Sequence, residues 1–123
     1  MGQNSSSAHN VVVLGGTVTN EPARRSLKSG SDVVNFDLST TVDDRQISVP
    51  VAWYDPSESA LSSFAVDEEV VIVGTVRRRF FRSGGLTQSR TEVVVDSLLP
   101  ARRAKSVRSL RAAAAGLIRP ADE

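Results

Sequence analysis

Apolar and β-branched residues that alternate with polar ones are the feature that most restricts how this chain can fold. In the segment VVNFDLSTT, Val34, Phe36 and Leu38 are separated by single polar residues. A period of two places these three side chains on one face of a half-buried strand. Strand-like composition recurs in segments 10–20, 47–53, 69–81 and 90–99. The recurring strand pattern predicts an all-β domain. No apolar run approaches the roughly 20 residues that cross a bilayer, so we expect no membrane partner.

Two breaks in the strand pattern indicate bends. Gly15 and Gly16 interrupt the first strand segment, and paired glycines there favour a bulge or the sharp bend that a small barrel needs at its corners. Pro50 cannot donate a backbone hydrogen bond, so the third strand segment is expected to be an edge or to contain a bulge.

The stretch DPSESALSSFAVD, between the third and fourth strand segments, has the signals of a helix. Asp55 is the expected N-cap, Pro56 the first helical residue and Glu58 the end of a capping box. Leu61 and Phe64 follow at helical spacing, so this helix would dock on the sheet. Five strands with one helix between strands 3 and 4 is the element order of the OB-fold, a five-stranded Greek-key barrel.

Composition divides the chain into three regions. Its 123 residues suit one domain, predicted over residues 10–99 as the OB-fold, and residues 1–9 are a predicted flexible arm. Residues 100–123 form a basic Ala/Arg-rich tail with apolar residues at helical spacing, which predicts that it can be helical. Four outcomes stay open for the tail: docking on the barrel, docking on a neighbouring subunit, binding to acidic partners, or disorder.

Charge is distributed unevenly along the chain. Residues 1–69 contain four Lys/Arg and ten Asp/Glu, whereas residues 70–123 contain eleven and four. The two parts therefore have formal charges of −6 and +7, although the whole chain has only +1. A basic half is the electrostatic pattern expected of a nucleic-acid-binding protein. The alternative is an ordinary solvated surface that is rich in arginine.

The stretch RRRFFRSGG combines arginines, two phenylalanines and a glycine turn. Along an extended strand Phe80 shares a face with Val76, whereas Phe81 shares the other face with Arg77 and Arg79. If the first face lines the core, Phe81 projects from a cationic outer face, where bases can stack on its ring while arginines contact phosphates. A register shift of one residue would exchange the two phenylalanines.

Trp53 is the only tryptophan and a second candidate platform for base stacking. It shares strand parity with Ile47 and Val51, which are core candidates, unless a bulge at Pro50 moves it to the opposite face. Parity alone leaves both placements open. Tyr54 is the alternative platform if Trp53 is buried.

Residues that would support catalysis or metal binding are sparse. The chain has no cysteine, and its one histidine, His9, lies in the serine-rich arm. The acidic pairs Asp43–Asp44 and Glu68–Glu69 are best explained as solvated turn and strand-end residues. We therefore expect no enzyme activity, no cofactor, no metal site and no small-molecule substrate. The N-terminal residues lack a secretory-signal pattern, which favours a cytoplasmic location.

Several stretches resemble the bacterial single-stranded-DNA-binding protein (SSB) family in order and spacing: VVLGGTVTNEP, ISVPVAW, VIVGTVRRRFF and TEVVVDSL. The resemblance covers about residues 10–99. It implies an OB-fold, a homotetramer built as a dimer of dimers, and binding of single-stranded DNA without strong sequence preference. The implied role is to protect single strands during DNA replication, recombination or repair, in association with the nucleoid.

The resemblance also assigns roles to individual residues. Trp53 and Phe81 match aromatic stacking positions of the family, whereas two other stacking positions fall near Val42 and Ile47, which are not aromatic. The predicted DNA-binding residues are Trp53, Phe81, Arg77, Arg79, Arg82, Arg90, Arg24, Arg25 and Lys28.

Other departures from the family pattern indicate a divergent short member. The turn at residues 42–46 is shorter than the DNA-contacting loop of the family, and the acidic C-terminal tip of the family has no counterpart in the basic tail. The two missing aromatics and the apolar, basic tail support a second hypothesis: an OB-fold paralogue with weak DNA affinity that acts mainly through protein contacts, as a primosomal or SSB-regulating accessory protein.

Overall fold

A computed structural model of the chain describes residues 8–118, and these are mostly in β-strands. The elements are β1 (Val12–Val18), β2 (Ala23–Ser26), β3 (Asp32–Val42), β4 (Arg45–Tyr54), α1 (Glu58–Leu61), β5 (Glu69–Ser83), β6 (Leu86–Pro100) and α2 (Ala104–Leu117). The predicted flexible arm falls mainly on residues 1–7, which lie outside the described residues, as does the end of the predicted tail.

Five of the strands form a closed barrel. Their order is β1-β5-β6-β4-β3, and pairing of β1 with β3 closes the ring. The pairs are antiparallel except for β4 with β6, which run parallel. The sixth strand, β2, pairs with β3 outside the ring. A mostly β chain with a closed five-stranded barrel and a C-terminal helix is consistent with the predicted OB-like barrel.

The barrel closes where β1 changes its partner. β1 pairs with β5 as far as Thr17, and with β3 at Thr17 and Val18. A Cβ atom on Gly16 would overlap the Ser39 carbonyl oxygen, so any larger residue would push the two strands apart. The bend predicted from Gly15 and Gly16 therefore corresponds to the seam of the barrel.

The core fills the inside of the barrel. Val34, Phe36 and Leu38, which were predicted to share a face, are each at most 2% exposed. The Phe64 ring packs on this cluster, with its centroid 5.7 Å from that of Phe36 and 6.2 Å from that of Trp53. The alternation in the sequence thus correctly predicted the buried face of β3.

α1 is only one turn long and begins later than predicted. Its N-cap is Ser57, whose Oγ accepts a hydrogen bond of 3.1 Å from the Ala60 amide. Asp55, the predicted N-cap, instead has a φ of 50°, and its carboxylate accepts a 2.8 Å hydrogen bond from the Asp32 amide. The predicted capping residue is therefore wrong, because Asp55 joins the end of β4 to the start of β3.

α2 confirms the helical periodicity of the tail and docks on the barrel. It packs against β5 and β6, and its buried residues are Val107 and Ala114. Val71 and Val73 alternate with the core residues of β5 and so point outward, yet they are only 3% and 4% exposed. α2 contacts β5, the strand that carries them. Of the four outcomes left open for the tail, docking on the barrel is the one observed.

β5 and β6 form a hairpin that is longer than the sequence predicted. The strands are joined by Gly84 and Gly85, whose φ angles of 61° and 80° are typical of a two-residue type I′ turn. The sequence pattern placed the start of the second strand at residue 90, whereas β6 begins at Leu86. The additional residues carry the end of the hairpin beyond the barrel core. We call residues 76–83 and 86–92 the ribbon.

Candidate nucleic-acid interface

The ribbon has two faces, and one of them carries most of the predicted site. Residues that lie directly opposite each other in an antiparallel pair project from the same face. On one face of the ribbon, which we call the outer face, the cross-strand pairs are Arg77–Glu92, Arg79–Arg90, Phe81–Gln88 and Ser83–Leu86. The parity prediction for Phe81, Arg77 and Arg79 is therefore confirmed.

A buried carboxylate holds two of these arginines. Glu92 is 2% exposed, and its Oε2 atom accepts hydrogen bonds from Arg77 Nη2 at 2.5 Å and from Arg79 Nε at 3.2 Å. Arg77 Nη2 also donates to the Tyr54 hydroxyl at 2.5 Å, and its guanidinium carbon lies 5.1 Å from the Tyr54 ring centroid. Each guanidinium is thus fixed by more than one contact, so that the outer face is ordered before any ligand arrives.

The same contacts keep the cluster ionised. Burial by itself raises the pKa of Glu92, but hydrogen bonds and charges from Arg77 and Arg79 outweigh burial, and the pKa lies below its ordinary value. Hydrogen bonds to Glu92 and Tyr54 raise the pKa of Arg77. At neutral pH the carboxylate therefore offsets one of the two neighbouring positive charges.

Phe81 is half-buried on the outer face, beside Arg79. The guanidinium carbon of Arg79 lies 5.2 Å from the Phe81 ring centroid, which is within the range of a cation–π contact. Aromatic and guanidinium planes are the two kinds of protein surface on which an unpaired base stacks. The pair combines such a surface with a positive charge.

Arg90 and Arg82, both predicted to contact phosphates, lie on different faces. Arg90 lies on the outer face, with its Nη2 atom 3.9 Å from Asp37 Oδ1. Arg82 has the opposite strand parity and donates a 2.9 Å hydrogen bond to the Gly85 carbonyl oxygen. The structure therefore separates Arg82 from the other arginines with which the sequence had grouped it.

The basic residues predicted on the first connection lie around a strand that the sequence did not predict. Arg24 and Arg25 are in β2, and Lys28 lies in the turn between β2 and β3. Arg24 forms ion pairs with Glu58 at 2.8 Å and Asp32 at 3.6 Å, and the hydrogen bond to Glu58 raises its pKa. Arg25 and Lys28 are exposed, so Arg24 is the one already engaged by carboxylates.

Trp53 lies in the core rather than on the outer face. It is 6% exposed, packs against Phe64 and pairs across the sheet with the buried Val34. Pro50 lies within a continuous register, so it does not introduce the bulge that would have turned Trp53 outward. This corrects the predicted placement of Trp53, since a ring so buried has no free surface for a base. Tyr54, the alternative, contacts the outer-face cluster.

Val76 and Phe80 were predicted to line the barrel, and this prediction is wrong. They have the same strand parity as the core residues of β5, but they are 45% and 64% exposed. Val76 lies at the edge of the barrel, opposite the core residue Val93, and the hairpin then extends so far that no core lies beneath Phe80. Phe80 is therefore the more exposed of the two phenylalanines.

Glu92 and its contact with Tyr54 through Arg77 were missed by the sequence analysis. A usable signal was present in the glycine turn, because a two-residue hairpin fixes the register of the strands it joins. Counted outward from Gly84 and Gly85, Arg77 and Glu92 are both seven residues from the turn and therefore pair. The contact with Tyr54 depends on how β4 approaches the hairpin, which no local pattern encodes.

No protein-family model and no curated protein matches the chain. None of the helices within residues 8–118 is long and apolar enough to cross a membrane. Over the same part of the chain, no three His, Cys, Asp or Glu side chains are grouped so that they could hold a metal ion.

Proposed function

We propose that the chain binds single-stranded DNA without strong sequence preference. The observation that carries the proposal is the Arg79–Phe81 pair, which lies on an outer face whose arginines are held in place by the buried Glu92. Stacking of a base on an aromatic ring contributes about 1–3 kcal/mol and is tolerant of sequence, because every base has a π face. Bases in a duplex are stacked on one another, so this face selects unpaired strands.

Phosphates would be contacted by the exposed basic residues around this face. Arg90 has a long ion pair of 3.9 Å with Asp37, and a phosphate can compete with a partner at that distance. Arg25 and Lys28 add positive charge at β2. Arg77 is more firmly engaged by Glu92 and Tyr54, and it acts mainly to position Tyr54.

We further propose that the chain is a divergent short member of the SSB family with a Greek-key OB-fold, in which α1 is the helix between the third and fourth barrel strands. The resembling stretches of sequence support this assignment. A dimer of dimers joined through β1 follows from the same resemblance. Within the described residues β1 pairs with β3 only at Thr17 and Val18, which leaves one edge of its first residues available for a second copy. The role would be protection of single strands in replication, recombination or repair.

The direct test is titration of a labelled oligothymidine with the purified protein, followed by fluorescence anisotropy at two salt concentrations. We expect binding at low salt, with log K falling by about 0.7 per phosphate contact for each unit of log salt concentration. Phe81→Ala should weaken binding roughly tenfold, in line with the loss of one stacked base. Leu117→Ala is a suitable control, because Leu117 is exposed on α2 and is not part of the ribbon.

Two results would contradict the proposal. One is the absence of binding at low salt. The other is equal affinity for a duplex of the same length, since that would mean that charge alone is recognised. An unchanged affinity of Phe81→Ala would remove Phe81 from the interface.

The second candidate function, action through protein contacts with weak DNA affinity, is favoured by the β3–β4 hairpin. Val42 and Ile47 are 50% and 42% exposed there, and they provide apolar rather than aromatic surface. If Val42→Ser with Ile47→Ser changes the mass of the protein in solution and leaves its oligonucleotide affinity unaltered, this hairpin is a protein interface. A loss of affinity at unchanged mass would assign it to DNA instead.

A further inference from the structure

The second face of the ribbon is also built from arginine and phenylalanine. We call it the inner-parity face, because it continues the core-facing side of β5 beyond the barrel. Its cross-strand pairs are Arg78–Thr91, Phe80–Ser89 and Arg82–Thr87, and Val76 at its base lies opposite the core residue Val93. The ribbon therefore has one phenylalanine and at least one arginine on each side.

Phe80 is presented more openly than Phe81. It is 64% exposed, and the Arg78 guanidinium carbon lies 5.2 Å from its ring centroid. Arg78 Nη2 donates a 3.2 Å hydrogen bond to Ser89 Oγ, and Ser89 lies directly opposite Phe80. The same distance of 5.2 Å separates Arg79 from Phe81 on the outer face. Both faces thus carry the same arginine–phenylalanine pair.

The charges on the two faces are not equally compensated. On the outer face, Glu92 binds two arginines and Asp37 lies near a third. The ribbon positions on the inner-parity face include Arg78 and Arg82 and no aspartate or glutamate. These two arginines hydrogen-bond to a hydroxyl and to a carbonyl oxygen, and neither partner neutralises charge. A ligand for this face should therefore be anionic as well as flat.

We propose that Phe80 and Arg78 form a second base-stacking site for single-stranded nucleic acid, so that one strand contacts both faces of the ribbon. The inference rests on the proposed function and extends it to a face that the sequence had assigned to the core. Nucleic acid is favoured over a second copy of the chain, because two-fold pairing of this face would bring arginines of both copies together. A single strand supplies a flat base and, next to it, an anionic phosphate, which are the two properties that this face requires of its ligand.

A tryptophan at either position would report contact with bases. Trp53 is buried and stays as a constant background, so Phe80→Trp and Phe81→Trp each add one reporter on a known face. We expect an unlabelled oligothymidine of about 30 nucleotides to quench the added emission in both variants, since a strand of that length exceeds the site of one barrel. Leu117→Trp, on α2, provides the control for non-specific quenching and should not respond.

Affinity measurements test the same site independently. Phe80→Ala should weaken binding of the long oligothymidine roughly tenfold, and Phe80→Tyr should retain it, because the stacking surface is kept. The thermal unfolding temperature of Phe80→Ala should match that of the parent, as the ring is mostly in solvent. Retained folding ensures that a loss of affinity is not caused by unfolding.

The possible results separate this inference from the proposed function. If the parent protein does not bind the oligonucleotide at low salt, both fail. A second outcome is that the parent binds the oligonucleotide and Phe81→Ala weakens this binding, but Phe80→Ala leaves the affinity unchanged and the added emission of Phe80→Trp is not quenched. In that case only the proposed site at Phe80 and Arg78 is ruled out. A change of mass in solution on Phe80→Ala, with affinity unaltered, would overturn it in favour of a self-association surface.

Discussion

Glu92 Oε2 lies 2.5 Å from Arg77 Nη2, and the carboxylate that makes this contact is almost completely buried. A carboxylate is rarely placed so far from water unless its charge is compensated. Here the compensation comes from arginines on the adjacent strand, one of which also packs on Phe81. The ion pair therefore links the stability of the hairpin to the geometry of the proposed interface.

Replacing Glu92 should lower the stability of the protein and raise its affinity for single-stranded DNA. In Glu92→Gln the side chain keeps its shape but loses its charge, and we expect the free energy of unfolding to fall by about 2 kcal/mol, the contribution of hydrogen bonds to a charged group. Arg77 and Arg79 would become available to phosphates, so affinity for oligothymidine at low salt should rise. Thermal unfolding and anisotropy titration measure the two effects.

Glu68→Gln is the matched control for this variant. Glu68 pairs with Arg102 at 3.2 Å, but its side chain is 41% exposed, so loss of the pair should change stability by less than about 1 kcal/mol. Equal destabilisation by the two substitutions would show that the buried position of Glu92 has no special effect.

The lowered pKa of Glu92 predicts how stability depends on pH. A carboxyl group whose folded-state pKa is depressed stabilises the fold fully above its ordinary pKa, which is 4.5 here, and this stabilisation is lost as the pH falls through the depressed value. We expect the unfolding temperature of the parent to decrease below pH 4.5 more steeply than that of Glu92→Gln. Parallel curves for the two proteins would contradict the linkage.

The buried strand faces and the mostly β fold could be predicted because their signals are local. The alternation of Val34, Phe36 and Leu38 has the period of the strand in which it lies, and a core covers that face completely. β2 was missed because all four residues of its sequence, ARRS, are exposed and no side of the strand is buried. Ala23, its one apolar residue, is itself exposed, so the strand is defined by pairing with its neighbour and not by its own composition.

Predictions for the site failed where the burial of a side chain depends on tertiary packing and not on the local sequence pattern. Parity correctly separated Phe80 from Phe81, but it could not show that the core ends before Phe80 is reached. For Trp53 parity left both placements open and the resemblance implied the exposed one, whereas the ring lies in the core. The missing information was where the core ends along β5 and whether Pro50 introduces a bulge in β4.

Trp53 should affect stability and not DNA binding. Trp53→Ala removes a large buried ring next to Phe64, and we expect a loss of about 3–5 kcal/mol in the free energy of unfolding. Trp53→Phe retains an aromatic group and should remain folded, with oligonucleotide affinity close to that of the parent. A roughly tenfold loss of affinity in a stably folded Trp53→Phe would place the ring at the DNA after all.

The barrel seam provides a test of the fold itself. At Gly16 an added Cβ would overlap the Ser39 carbonyl oxygen, whereas at Gly15 it would meet no atom within 4 Å. Gly16→Ala should therefore lower the free energy of unfolding by about 1–3 kcal/mol, as overpacked substitutions do. Gly15→Ala should be neutral or slightly stabilising, because alanine restricts the unfolded chain.

Hydrogen exchange would show whether the damage in Gly16→Ala is confined to the seam. The Thr19 amide donates to the Asp37 carbonyl oxygen at 3.1 Å, next to the last β1–β3 pair. If the substitution forces these strands apart, this amide should exchange faster while amides in the β5–β6 hairpin remain protected. Equal stability and equal exchange in Gly15→Ala and Gly16→Ala would mean that β1 and β3 do not approach closely at this point, and the ring of five strands would then be open.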